Sequence, residues 1–297
     1  MQRNMAHTKP HFLHVGPGRT GTSWLYGMLS QHPDVYLNPV KEVRYFSEAC
    51  DYPGEGLLGR FRKGDWHNQN YRSYLKKRLR SYLKHPLTAV GSSDRLAWDL
   101  RYLFGRRSDD WFEGLFRCEV SKVTGDFSPQ TQHIPPAEVF YISQEWPATK
   151  VLLTLRDPIE WGWSCARMWL IPDRDPREVS DAEFRDFVEK FTPDFPTVAR
   201  ISLWETAFAG RFKLLFFDDI AADPAKALND VCDFLDLATG PIAGFDVSRR
   251  RYSSRPLAIP RRFRRILIEL YENEVRQLAE KYGTYPRRWL ERYGGGG

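Results

Sequence analysis

Two short stretches of this sequence hold the residues best suited to grip an anion. The first, Gly16-Pro17-Gly18-Arg19-Thr20-Gly21-Thr22-Ser23, follows an apolar segment and opens one compatible with a helix. In that setting unpaired backbone N–H groups and the helix dipole favour a phosphate. Gly16 and Gly21 have the spacing of a G-x-x-x-x-G-K-[ST] phosphate loop, but Thr22 stands where that loop carries lysine. Arg19 therefore supplies the cation, and Thr22 and Ser23 offer hydroxyls. The second stretch is Arg156-Asp157-Pro158 with Ser164 a turn or two later. A planar guanidinium holds phosphate oxygens in pairs, and the serine hydroxyl adds a donor from the following helix.

Both stretches need elements that aim them at one place. His11–Gly16 and Lys150–Leu155 are short apolar runs that predict buried strands. Thr22–Gln31 and Ile159–Leu170 read as the helices that follow them. Further strands are expected at Arg117–Lys122 and Phe212–Phe217, and helices at Asn70–Leu83 and Arg261–Tyr282. Strands separated by helices imply a central parallel β-sheet flanked by helices, an α/β fold that gathers ligands at the carboxyl ends of its strands. The reading is one domain over residues 1–293, with 50–117 as an acceptor-side insertion and a flexible glycine tail at 294–297. Pro172–Pro196 is the one stretch expected to form a mobile lid.

Composition narrows the classes of partner. A net charge of +6 and an isoelectric point near 9.1 favour anionic ligands. The four cysteines (Cys50, Cys118, Cys165, Cys232) form no C-x-x-C pair, which suggests free thiols in a reducing compartment. No apolar run approaches the roughly 20 residues of a membrane span, and Met1–Pro10 lacks the apolar stretch of a signal peptide. A cytoplasmic location is expected.

Gly18-Arg19-Thr20-Gly21-Thr22-Ser23-Trp24-Leu25 resembles the 5′-phosphosulfate loop, P-[KR]-[SAT]-G-T-[ST]-x-L, of sulfotransferases that use PAPS (3′-phosphoadenosine-5′-phosphosulfate), with Gly18 in place of proline. Arg156-Asp157-Pro158 and Ser164 match that family's R-[ND]-P-x5-S element, which implies a site for the 3′-phosphate. Lys41-Glu42-Val43-Arg44-Tyr45-Phe46 resembles the K-E-x-H-F-F segment of the Golgi-type branch, the heparan sulfate sulfotransferases and their bacterial relatives, and so implies Glu42 as the general base. In the same branch an E-K-[ST]-P element carries an assisting lysine. The looser match Glu119-Val120-Ser121-Lys122-Val123-Thr124 points to Lys122. His133, in Thr131-Gln132-His133-Ile134-Pro135, is the weaker alternative base, by similarity to the K-T-H-L-P element of the small-molecule sulfotransferases. Arg251, Ser253 and Arg255, just before the last long helix, stand where the family closes a basic loop over the nucleotide.

The expected function is transfer of a sulfuryl group from PAPS to a hydroxyl or amine of a small-molecule, lipid-like or carbohydrate acceptor, with PAP (3′-phosphoadenosine-5′-phosphate) as product. Neither a metal nor nucleic acid is expected to take part. Two alternatives stay open: a magnesium-dependent nucleotide kinase with a variant phosphate loop, and a non-enzymatic polyanion binder acting through Lys76–Arg80, Arg249–Arg251 and Arg261–Arg265. Trp66, Tyr71, Trp98, Trp161, Trp163 and Trp169 are candidates either for an acceptor pocket or for the core.

Overall fold

The computed structural model describes residues 9–47, 66–84, 93–117, 122–240, 244–247 and 257–294. In chain order its elements are β1 (Phe12–His14), α1 (Thr22–Leu29), β2 (Val35–Leu37), α2 (Trp66–Lys84), α3 (Ser93–Phe104), α4 (Asp109–Gly114) and β3 (Val123–Phe127). There follow α5 (Pro136–Glu145), β4 (Lys150–Leu155), α6 (Pro158–Trp169), α7 (Asp181–Phe191), α8 (Val198–Ala207) and β5 (Phe212–Phe216). The chain closes with α9 (Phe217–Ala222), α10 (Pro224–Phe234), α11 (Arg261–Tyr282) and α12 (Thr284–Gly294).

The five strands lie in the order β2-β3-β1-β4-β5, every pair parallel. Side chains alternate across the sheet, so neighbouring residues of one strand enter different cores. Leu13, Val151, Leu153 and Leu155 meet α3 to α8 and α11 on one face. Phe12, Leu152 and Leu215 meet α1 and α10 on the other. This two-sided burial is why β4, KVLLTL, is apolar on both faces at Val151, Leu152, Leu153 and Leu155.

The expected strand Arg117–Lys122 falls short of the one observed. The sheet strand here is Val123–Phe127, and residues 118–121 lie outside the described residues. β2 went unanticipated because three residues give periodicity too little to act on. Pro172–Pro196, expected as a mobile lid, contains the helix α7. Its apolar residues recur at helical spacing in α7, where Phe184 and Val188 are buried and Phe184 stacks on Phe263 at 4.0 Å. The part of 50–117 within the described residues is helical. α2 and α3 are joined through Asp99, which accepts from Tyr74, Arg78 and Tyr82 at 2.5 to 2.8 Å.

Of the six aromatic candidates, Tyr71, Trp98, Trp161 and Trp163 are core residues. Trp169 is 43% exposed and stacks on Phe191 at 5.1 Å. The side chain of Trp66 lies outside the described residues. Cys165 and Cys232 are free and buried. Among the described residues no helix is long and apolar enough to cross a membrane.

Candidate active site

The loop between β1 and α1 is shaped by contacts that only certain residues permit. A Cβ on Gly16 would stand 2.5 Å from the backbone nitrogen of Thr154, so only glycine lets the chain leave β1 pressed against β4. Gly21 caps α1 at φ 91°, a left-handed conformation that glycine adopts without strain. The buried Thr20 donates its hydroxyl to Pro17 O at 2.7 Å, and Trp161 Nε1 donates to Gly18 O at 2.9 Å. No side chain caps the first turn of α1, which keeps its leading N–H groups for an anion. The Trp24 ring is buried, and its Nε1 donates to Val247 O.

The second loop meets the first. Arg156 Nη1 donates to Arg19 O at 3.2 Å, and Arg19 Nε donates to Ser164 Oγ at 3.0 Å. Burial lowers the pKa of both guanidiniums from the ordinary arginine value, and an anion placed between them would offset that cost. Arg156 also lies over the Phe217 ring, 4.6 Å from its centroid. Asp157 is occupied structurally. Its Oδ1 accepts from Ile159 N at 2.9 Å and Tyr293 OH at 2.7 Å, and its Oδ2 from Arg292 at 3.1 Å. The carboxylate thus caps α6 and ties the Arg156 turn to α12, which leaves it poorly placed as a magnesium ligand.

Glu42 stands on the chain that follows β2. Arg44, left-handed at φ 58° and 1% exposed, donates Nε and Nη2 to Glu42 Oε2 at 2.9 and 2.6 Å. Both of these bonds go to one oxygen of the carboxylate. Arg44 N in turn donates to Ser128 Oγ at 2.9 Å, just past β3. Behind them is Asp126, 4% exposed. Burial, with the charge of Glu42 adding to it, raises the Asp126 pKa to about 7.

This shift has a measurable consequence. Unfolded, Asp126 ionises near pH 4; folded, it holds its proton to about 7. Its contribution to stability is therefore full below pH 4 and is lost as pH rises through 7. Asp126→Asn will gain stability relative to the native chain between pH 4 and 7 and hold that gain above. Denaturant melts across that range check it, and a difference independent of pH would contradict it.

Lys122 does not join the site. It precedes β3 while Ser128 follows it, so roughly 20 Å of strand separates the two. The acidic-x-[ST]-Pro pattern falls instead on Asp126-Phe127-Ser128-Pro129, at the end of β3 nearer the loops, with Phe127 in the lysine position. Aligning the serine-proline pair rather than the lysine would have found it. His133 lies in the 3-10 turn after β3, 3.7 Å from Asp194. Burial and then Arg200 lower its pKa to about 4, which makes it a weak base. Arg251, Ser253 and Arg255 lie outside the described residues. A Cβ at Gly18 would meet nothing within 4 Å, so Gly18 is not sterically required.

A residue that sequence reasoning passed over, Lys41, enters the first loop from the side. Its Nζ donates to Ser23 Oγ at 3.1 Å and Thr22 Oγ1 at 3.3 Å.

Residues 10–241 match the family model described as the sulfotransferase family. A crystal structure of a sulfotransferase from Alicyclobacillus acidocaldarius superposes with a TM-score of 0.62 at 21% identity, covering 95% of this chain and 99% of that one. A sulfotransferase from Mycobacterium avium gives 0.50 at 14%, covering 92% and 77%. The sulfotransferase domain of the Synechococcus PCC 7002 olefin synthase gives 0.49 at 16%, covering 92% and 97%. At 21% identity the likeness to the Alicyclobacillus protein is one of fold. No curated protein matches the sequence.

Proposed function

The chain belongs to the sulfotransferase family, and from that premise we propose that it transfers the sulfuryl group of PAPS to a hydroxyl or amine of an acceptor, with Glu42 as general base. The observation that carries this reading is the junction of the two loops, Arg156 on Arg19 O and Arg19 on Ser164 Oγ. A nucleotide phosphorylated at both 5′ and 3′ positions has one anion for each loop. The 5′-phosphosulfate takes the α1 amides with Thr22 and Ser23, and the 3′-phosphate takes Arg156 and Ser164.

The acceptor oxygen or nitrogen attacks sulfur in line and gives up its proton to Glu42. The S–O bond to the 5′-phosphate breaks as the new bond forms, and PAP leaves with the electron pair. Arg19 offsets charge on the transferring oxygens. Lys122 has no part in this scheme. The engagement of Asp157 with Tyr293, Arg292 and Ile159 favours it over a kinase built on a magnesium-bound aspartate. The acceptor class stays as broad as the chemistry, a small-molecule, lipid-like or carbohydrate hydroxyl or amine.

Calorimetric titration with PAP in EDTA tests the reading. Saturable binding is expected, with AMP at least about tenfold weaker because it lacks the 3′-phosphate. Binding of ATP with magnesium, and none of PAP, would transfer the site to the kinase reading.

A further inference from the structure

The first loop has no lysine of its own, and Lys122 lies beyond the far end of β3. Yet an ammonium group stands at the loop. Lys41 arrives from the segment after β2, and its Nζ lies 3.1 Å from Ser23 Oγ and 3.3 Å from Thr22 Oγ1, the two hydroxyls of the first turn of α1. The same nitrogen sits over the rings of Tyr26 and Phe127, 5.8 and 5.9 Å from their centroids. Aromatic faces attract a cation and exclude water from one side of it. His14 lies below, 1% exposed and stacked on Phe127 at 5.1 Å. Burial, with Lys41 adding to it, lowers the His14 pKa to about 3, so His14 is neutral and adds no second charge.

We infer that Lys41 is the cation of the 5′ end of the donor site, binding the 5′-phosphate and meeting the charge that appears on its oxygen as the sulfuryl group departs. The inference rests on the sulfotransferase reading and deepens it. The bond between sulfur and the bridging oxygen breaks, and the electron pair stays on that oxygen. A phosphate monoester is a stable anion at neutral pH, so the step needs a nearby positive charge and a hydrogen-bond donor rather than a proton transfer. An ammonium already bonded to both hydroxyls of the helix start supplies these without reorganisation. Arg19, whose Nε is turned to Ser164, is left to the sulfuryl oxygens and to the join with the 3′ side. Lys41 and Glu42 are adjacent residues serving opposite ends of one displacement, the leaving oxygen and the attacking atom.

Two nucleotides separate this role from a general effect on folding. PAP carries both phosphates, whereas 3′-AMP lacks the 5′ one. Lys41→Met is expected to bind PAP about 10- to 100-fold more weakly with 3′-AMP affinity unchanged, and to lower kcat for transfer. Lys41→Arg, which keeps a charged donor, is expected to recover most of the PAP affinity. Native PAP affinity and kcat in Lys41→Met would overturn the inference while leaving the sulfotransferase reading intact. Equal losses for PAP and 3′-AMP would overturn it as well, since the effect would not be at the 5′ end. A native chain that binds no PAP would remove the reading on which it stands.

Discussion

Glu42→Gln will lower sulfuryl transfer by about 100- to 10,000-fold, the usual contribution of a positioned general base, while PAP binds as before. Glutamine has nearly the shape of glutamate and its amide oxygen can still accept from Arg44, which holds Oε2 with two bonds. What is lost is the second oxygen's capacity to take a proton. The effect should fall on kcat, because in the proposed scheme Glu42 meets the acceptor and not the nucleotide. The measurement is single-turnover transfer from radiolabelled PAPS beside a PAP titration on the same sample. An unchanged rate would remove Glu42 as base and send the assignment to His133, against the low basicity that burial and Arg200 impose there.

Arg156→Ala will cost about 100-fold or more in PAP affinity, the scale of a lost charge-assisted pair of hydrogen bonds, and will leave AMP binding nearly as it was. Three further contacts fail with the side chain, the bond to Arg19 O, the packing over Phe217 and the ion pair with Glu160. Arg156→Lys keeps the charge without the planar fork, and an affinity between those of native and alanine is expected. If Arg156→Ala binds PAP as the native chain does, the 3′-phosphate lies elsewhere and the pairing of the two loops loses its meaning.

Much of this site is legible in the order of the residues alone. The glycine loop, Arg156-Asp157-Pro158 and Glu42 are local patterns, and the strand and helix beside each follow from apolar runs a few residues long. β4 and α11 have the expected boundaries to the residue. Such features are set by neighbours in sequence, through backbone sterics and the alternation of apolar side chains, so the chain carries them in plain view. Strand β2 and helix α7 are less legible, one too short for a period and the other hidden among prolines.

Other features depend on contacts between distant parts of the chain. Lys41 meets Ser23 across a helix and a strand, Arg44 binds Ser128 from 84 positions away, and Tyr293 caps Asp157 from 136 positions away. Lys122 shows the same point in reverse, since a few residues along a strand carry a side chain from one edge of the sheet to the other. A linear pattern fixes residue type and local backbone. In a parallel sheet, however, every strand ends on the same edge, and the register of pairing decides which distant loops share that edge. The sequence by itself determined the glycine loop, the Arg156 turn and the place of Glu42 after β2. Only the packed sheet decided that Lys41 stands at the first loop, that Arg19 bridges to the second, and that Asp126 and Ser128, not Lys122, stand behind Glu42.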